Sequence, residues 1–215
     1  MDRVFTIEQL RPIKDGMTIS RDAKMGTATS VTFFSLGKDT SISQECYDST
    51  AVYVGAKGDA AFLIGPNADK KVFTEGDCLI VPGGTLCGME TAAGTVYTEI
   101  IIKKENTMNN TIKSGEVMKL KDLISYEEGS IANLDVVSND TMKFVLMAFD
   151  EGTGLTPHRA PGNAIIFALE GKATIGYEGK DYTLSAGENF RFDKNGLHSV
   201  TADGKFKMAL LLVLE

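Results

Sequence analysis

The two histidines of the chain, His158 and His198, are the groups best suited to chemistry. His158 stands in GTGLTPHRAPGNAIIFALEG and His198 in GENFRFDKNGLHSV. Imidazole titrates near neutrality, ligates metals, and both donates and accepts hydrogen bonds. Two such rings at opposing strand ends could share a metal ion, serve as a general base, or hold the polar end of a ligand. Arg159 and Arg191 flank them in sequence, yet strand alternation turns both away, toward solvent or an interface. Cys46, Cys78 and Cys87 are an odd number without CxxC spacing, which argues against a disulfide framework. Cys78, within CLIVP, reads as a small buried side chain.

The elements that must position these residues are short strands. Phe144–Phe149, Ala164–Leu169, Ala173–Tyr177, Tyr182–Leu184, Phe190–Phe192 and Lys207–Leu214 are rich in β-branched and aromatic residues and mostly alternate with period two. Gly, Asp and Asn punctuate them, as at Glu178–Gly179 and Asn195–Gly196. Helix is minor, with single turns expected at Thr6–Leu10 and Leu120–Ile124. Many short strands with glycine turns imply an antiparallel barrel or sandwich.

The chain also repeats itself. FFSLGKDTSISQECYDSTAVYVGAKGDAAFLIG lies over LMAFDEGTGLTPHRAPGNAIIFALEGKATIGYE, and FTEGDCLIVPGGTLCGM over LSAGENFRFDKNGLHSV. Glu45 then matches His158, Gly58 matches Gly171, Gly76 matches Gly187, and Cys87 matches His198. The segment KKENTMNNTIKSGE, Lys103–Glu116, is polar and without apolar period, so it reads as a linker with the boundary near Asn106 to Asn110. The arms before each half, about 4–19 and 117–131, are expected to pack outside their own barrel and cover an edge.

These residues resemble the cupin superfamily, specifically a two-domain bicupin. Cupin motifs pair a Gly-x5-His-x-His block, followed by Glu and Gly, with a Gly-x5-Pro-x-Gly-x2-His block. The second half shows Gly152, His158, Ala160, Ala164 and Gly171, then Gly187, Asp193, Asn195 and His198. The first half shows Glu45, Tyr47, Ala51 and Gly58, then Gly76, Pro82, Gly84 and Cys87. The resemblance implies an all-β fold: two antiparallel cupin β-barrels (double-stranded β-helix or jelly roll) in tandem. Residues 1–105 form a degenerate N-terminal barrel, and 110–215 a C-terminal barrel with a His158/His198 pocket. It also implies a divalent metal, Zn, Mn, Fe or Ni, with His158 and His198 as its remaining ligands. Alanine stands at the other two ligand positions, Ala160 and Ala164. Strand alternation places Ala160, Ala164 and Ile166 with the histidines in a mostly apolar pocket.

The acidic balance, net charge −7 and pI near 5.0, disfavours nucleic acid and anionic membranes as partners. The start, MDRVFTIEQLRPIKDG, has no apolar core of signal-peptide length, and the longest apolar run, Met208–Leu214, is too short to span a bilayer. A soluble, cytoplasmic protein is expected, as a closely packed bicupin or a homodimer. Three functions stay open: a small-molecule binding bicupin, a metal-dependent oxygenase or isomerase, and a structural dimerisation module. The pocket is expected in the C-terminal barrel, with the N-terminal barrel mainly structural because Glu45 and Cys87 lack a partner base.

Overall fold

The computed structural model describes residues 2–27, 29–103, 107–109 and 112–214. The expected boundary near Asn106 to Asn110 falls partly outside the described residues. The chain divides into two compact units. The C-terminal unit comprises Leu120–Glu215 with Met1–Thr6 and Asn106–Asn109, and the N-terminal unit comprises Ile7–Glu105 with Asn110–Lys119. Among the described residues, helix is confined to the turn Ile7–Leu10 and the 3-10 turn Leu120–Asp122.

In the C-terminal unit, a 7-stranded sheet runs Val4–Phe5, Asn189–Phe192, Gly162–Glu170, Phe206–Leu214, Met142–Phe149, Ile131–Ser138, Thr107–Met108. A 4-stranded sheet runs Gly154–Arg159, Leu197–Ala202, Lys172–Tyr177, Lys180–Ser185. All pairings are antiparallel. The core lies between the sheets, where Met147, Phe149, Ile166, Phe190, Phe192, Phe206 and Met208 meet Ile175, Tyr177, Leu184 and Val200. Burying each large apolar side chain contributes about 1.5–3 kcal/mol. Lys172–Tyr177 turns into Lys180–Ser185 through Glu178 and Gly179, both at positive φ (48° and 79°), the tight turn that suits strand twist.

The N-terminal unit repeats this plan. Val117–Lys119, Asp77–Val81, Thr50–Ile64, Thr95–Ile102, Thr29–Leu36 and Thr18–Asp22 form one antiparallel path. The later part of Thr50–Ile64 bends away to pair with Asp69–Thr74 and Leu86–Thr91, and the latter pairs with Thr40–Cys46. Leu36, Tyr53, Phe62, Phe73, Leu79, Met89 and Tyr97 fill its core. The matched glycines mark the bend. Gly58 and Gly171 sit at φ +71° and +74°, and a Cβ on either would overlap a carbonyl oxygen, of Gly94 or Lys205. Two antiparallel β-barrels in tandem, as the repeat implied, are what the chain forms.

The first strand of each arm covers an edge outside its own barrel, as expected, and that edge belongs to the other half. Val4–Phe5 pairs with Asn189–Phe192 and completes the C-terminal sheet, not the sheet of its own half. Val117–Lys119 pairs with Asp77–Val81 in the N-terminal sheet. Local side chains fix both exchanges. Arg3 reaches Asp193 at 2.6 Å and lies over the Tyr177 ring, while Lys119 reaches the buried Asp77 carboxylate at 2.9 Å. Each added strand supplies hydrogen-bond partners to what would be a bare sheet edge.

Candidate functional site

His158 and His198 are direct cross-strand partners between Gly154–Arg159 and Leu197–Ala202. The ladder is irregular between Leu155 and His158, where one strand advances a residue further than its partner. That bulge brings the imidazoles together, with ring centroids 4.2 Å apart and planes inclined by 53°. Each ring is held by its own strand. Nδ1 of His158 lies 2.8 Å from the Thr156 carbonyl oxygen, and Nδ1 of His198 lies 2.9 Å from that of Gly196. A carbonyl only accepts, so both Nδ1 atoms carry hydrogen and both Nε2 atoms offer a lone pair in the neutral rings.

The rings differ in setting. His198 is buried and packs on Phe192, with ring centroids 4.3 Å apart, whereas His158 is exposed. Burial lowers the His198 pKa below the ordinary 6.5; the Gly196 carbonyl pulls it back, and the neighbouring His158 lowers it further. At neutral pH His198 is therefore an uncharged acceptor.

None of the other residues expected at the pocket lines the depression that adjoins His198. Ala164 faces Phe192 and Leu212 across the ladder, and Ile166 faces Phe190 and Leu210. Both belong to the packed core. Ala160 is buried, and its carbonyl accepts from the Asn195 amide. Val145, Leu155, Leu210 and Leu212 pack against this core yet keep partial exposure, so an apolar surface of the barrel interior reaches solvent. A depression of about 200 Å³ adjoins His198, lined by Pro157, Tyr177, Glu178, Leu197 and Ser199 among others. Arg159 turns away from the pair and donates to the Asn195 carbonyl.

These residues do not fit a firmly held metal. Among the described residues, no three His, Cys, Asp or Glu side chains gather as a metal group. Two imidazoles fall short of the three protein ligands of open catalytic sites, and Ala160 and Ala164 supply none.

The N-terminal barrel repeats the same geometry with other chemistry. Glu45 and Cys87 are cross-strand partners, again beside a ladder irregularity, between Ile42 and Glu45. Neither has a base beside it in the ladder, but Glu45 has a hydrogen-bond donor. The Tyr47 hydroxyl donates to Glu45 at 3.0 Å, and Tyr53 shares a core cluster with Cys87 and is the ladder partner of Glu99. Burial pushes the Cys87 thiol up to about 11 and raises Glu99 above the usual carboxylate range. Tyr53 and Glu99 were overlooked. Their signal lay in the repeat, which aligns them with Ile166 and Leu210, and in the alternation of TVYTEIII.

Comparison with known proteins agrees with this architecture. Residues 145–214 match the cupin domain model Cupin_2. A Cupin 2 conserved barrel domain protein from Leptotrichia buccalis superposes with TM-score 0.86 at 25% identity, over 98% of this chain and 95% of that one. Salicylate 1,2-dioxygenase from Pseudoaminobacter salicylatoxidans, in its adduct with gentisate, gives TM-score 0.69 at 12% identity over 98% and 80%. Another structure of that dioxygenase gives 0.64 at 12% over 86% and 71%. At such identities the dioxygenase likeness speaks for the fold alone. No curated protein matches the chain.

Proposed function

We propose that this chain, a cupin of two barrels, binds a small and largely apolar molecule in its C-terminal barrel, with His158 and His198 meeting the molecule's polar end. The observation that carries this reading is the paired imidazoles, 4.2 Å apart, each with Nδ1 anchored to backbone. Ordering both rings by backbone carbonyls leaves two Nε2 acceptors ready for a ligand hydroxyl without further rearrangement. The partly exposed Val145, Leu155, Leu210 and Leu212 supply the apolar wall. Few polar groups beside an apolar lining is the usual composition of a small-molecule site.

Lys143 adds to this. It faces Leu212 in the ladder, which in turn faces Ala164, so an exposed ammonium stands at the edge of the same row. A carboxylate ligand could place its apolar body over Leu210 and Leu212 and its charge near Lys143. The readiest probes are therefore small aliphatic and aromatic carboxylic acids and the matching alcohols.

The test uses the two histidines as reporters, since the chain has no others. Each probe is titrated into the whole protein while the two imidazole Cε1–H resonances are followed by NMR. Saturable shifts of both, lost when Lys143 and the apolar Leu212 are each replaced by serine, are expected. Probes that bind but leave both resonances unmoved refute the site.

A further inference from the structure

Because both halves have one fold, each serves as a control for the other. Ladder partners cross the N-terminal sheet in the row Asp22, Thr32, Glu99, Tyr53, Leu79. The corresponding row of the C-terminal sheet is Asp135, Val145, Leu210, Ile166, Phe190. Thr32, Glu99 and Tyr53 thus stand where Val145, Leu210 and Ile166 stand. The fold is satisfied by three apolar residues here, and the N-terminal barrel has polar ones.

Among the described residues, no ion pair reaches Glu99. Glu99 lies between Tyr97 and Ile101 on the side of the strand that packs into the barrel core. The ion pairs of this unit among the described residues are elsewhere, at Lys57–Glu8, Lys70–Glu90, Lys113–Glu116 and Lys119–Asp77. A carboxyl withdrawn from water without a cation costs stability, and such costs concentrate at functional sites.

The place is reachable from water. Glu99, Thr32, Phe34 and Ile101 keep partial exposure although they face inward, and Glu45 and Tyr47 are exposed at the rim. The groups also lie together: Glu45 is the ladder partner of Cys87, Cys87 shares a core cluster with Tyr53, and Tyr53 is the ladder partner of Glu99. The ionisation of Tyr47 is raised first by burial, then by Glu45, and further by Glu99 and Cys87, so one phenol senses all three. Two carboxyls, Glu45 held by the Tyr47 hydroxyl and the inward Glu99 beside Tyr53 in the ladder, therefore stand where one core reaches solvent, a core that Phe34 also joins.

We propose that the mouth of the N-terminal barrel is a second binding site, for a small molecule bearing an organic ammonium group. An anion is repelled by Glu45 and Glu99, neither of which pairs with a Lys or Arg among the described residues. A metal ion finds too few ligands, since no three carboxylate or thiol groups gather closely enough among the described residues. An alkylammonium needs only one or two carboxylates and aromatic surface, which Phe34 and Tyr47 supply. This site is independent of the histidine pair.

The experiment is calorimetric titration of the whole protein with propylammonium and tetramethylammonium, against propanol and propanoate as neutral and anionic counterparts. Saturable binding of an ammonium probe alone is expected. Glu99→Gln weakens it by about tenfold or more, the scale of one charged hydrogen bond. Glu99→Leu copies Leu210 of the other barrel, so it keeps the fold and abolishes binding. His158→Ala with His198→Ala leaves it unchanged. The proposal is overturned if propanol or propanoate binds as well as the ammonium probes, if no ammonium probe saturates, if Mn²⁺ alone binds more tightly than they do, or if folded Glu99→Leu protein retains full affinity.

Discussion

Glu99 and Leu210 hold the same place in the two barrels: Glu99 faces Thr32 and Tyr53 across its ladders, and Leu210 faces Val145 and Ile166. One backbone plan thus carries a polar interior in one half and an apolar interior in the other. The equivalent ladder pairs differ too, with a carboxylate and a thiol in the polar barrel and two imidazoles in the apolar one. The two halves therefore offer complementary chemistry, and substitutions in one leave the other as an internal reference.

His198 sets an acid limit on stability. Its folded pKa lies below the unfolded value, so the unfolded chain takes up the proton first. The full contribution is present above the unfolded value near 6.5, and is lost as pH falls from there toward the lower folded value. Urea unfolding between pH 8 and 5, at about half-unit steps, should show this slope in the native protein and a shallower one in His198→Gln. Equal slopes in both would remove burial of this ring as the cause.

The first residues belong to the C-terminal unit. Deleting residues 1–6 removes the Val4–Phe5 ladder, the Arg3–Asp193 pair and the bond from Asn189 to the Phe5 carbonyl. Amide exchange should rise in Asn189–Phe192 and stay unchanged in Asp77–Val81. Faster exchange in Asp77–Val81 instead would contradict the strand assignment.

Gly171 and Gly179 should respond differently to alanine. Both have positive φ, yet only at Gly171 does an added Cβ meet backbone, at Lys205. Gly179→Ala should cost about 1–2 kcal/mol, the strain of the left-handed region alone. Gly171→Ala should cost clearly more. Equal midpoints in urea would show that the strand bend yields without strain.

Phe190 anchors the aromatic core of the C-terminal barrel, with Tyr177, Tyr182 and Phe192 around it at ring distances of 5.8, 5.3 and 4.8 Å. Phe190→Ala should lose about 3–5 kcal/mol in denaturant unfolding. A loss under about 1 kcal/mol would mean that the barrel collapses onto the gap.

The three thiols should separate by reactivity. Cys46 is exposed, whereas burial pushes Cys78 up to about 12 and Cys87 up to about 11. A disulfide reagent near neutral pH should label Cys46 at once and the other two only after unfolding. Prompt labelling of Cys87 would reveal an opening at the N-terminal rim wider than its burial suggests.

Much of this architecture was legible in the chain itself. Period-two runs such as FVLMAF, glycine turns such as Glu178–Gly179, and the repeat that lays Glu45 over His158 and Cys87 over His198 determine two similar antiparallel barrels. They do so because alternation and turn chemistry act between neighbours in sequence, and the two matched pairs indeed face each other in equivalent ladders. Only the tertiary structure decided the rest. That Val4–Phe5 completes the C-terminal sheet depends on pairing with residues far along the chain, which local pattern does not encode. That His198 is buried against Phe192 while His158 stays exposed depends on which ring the bulge turns inward. That Tyr53, Cys87 and Glu99 form one polar interior depends on three strands meeting, since each residue taken alone is an ordinary member of its own strand.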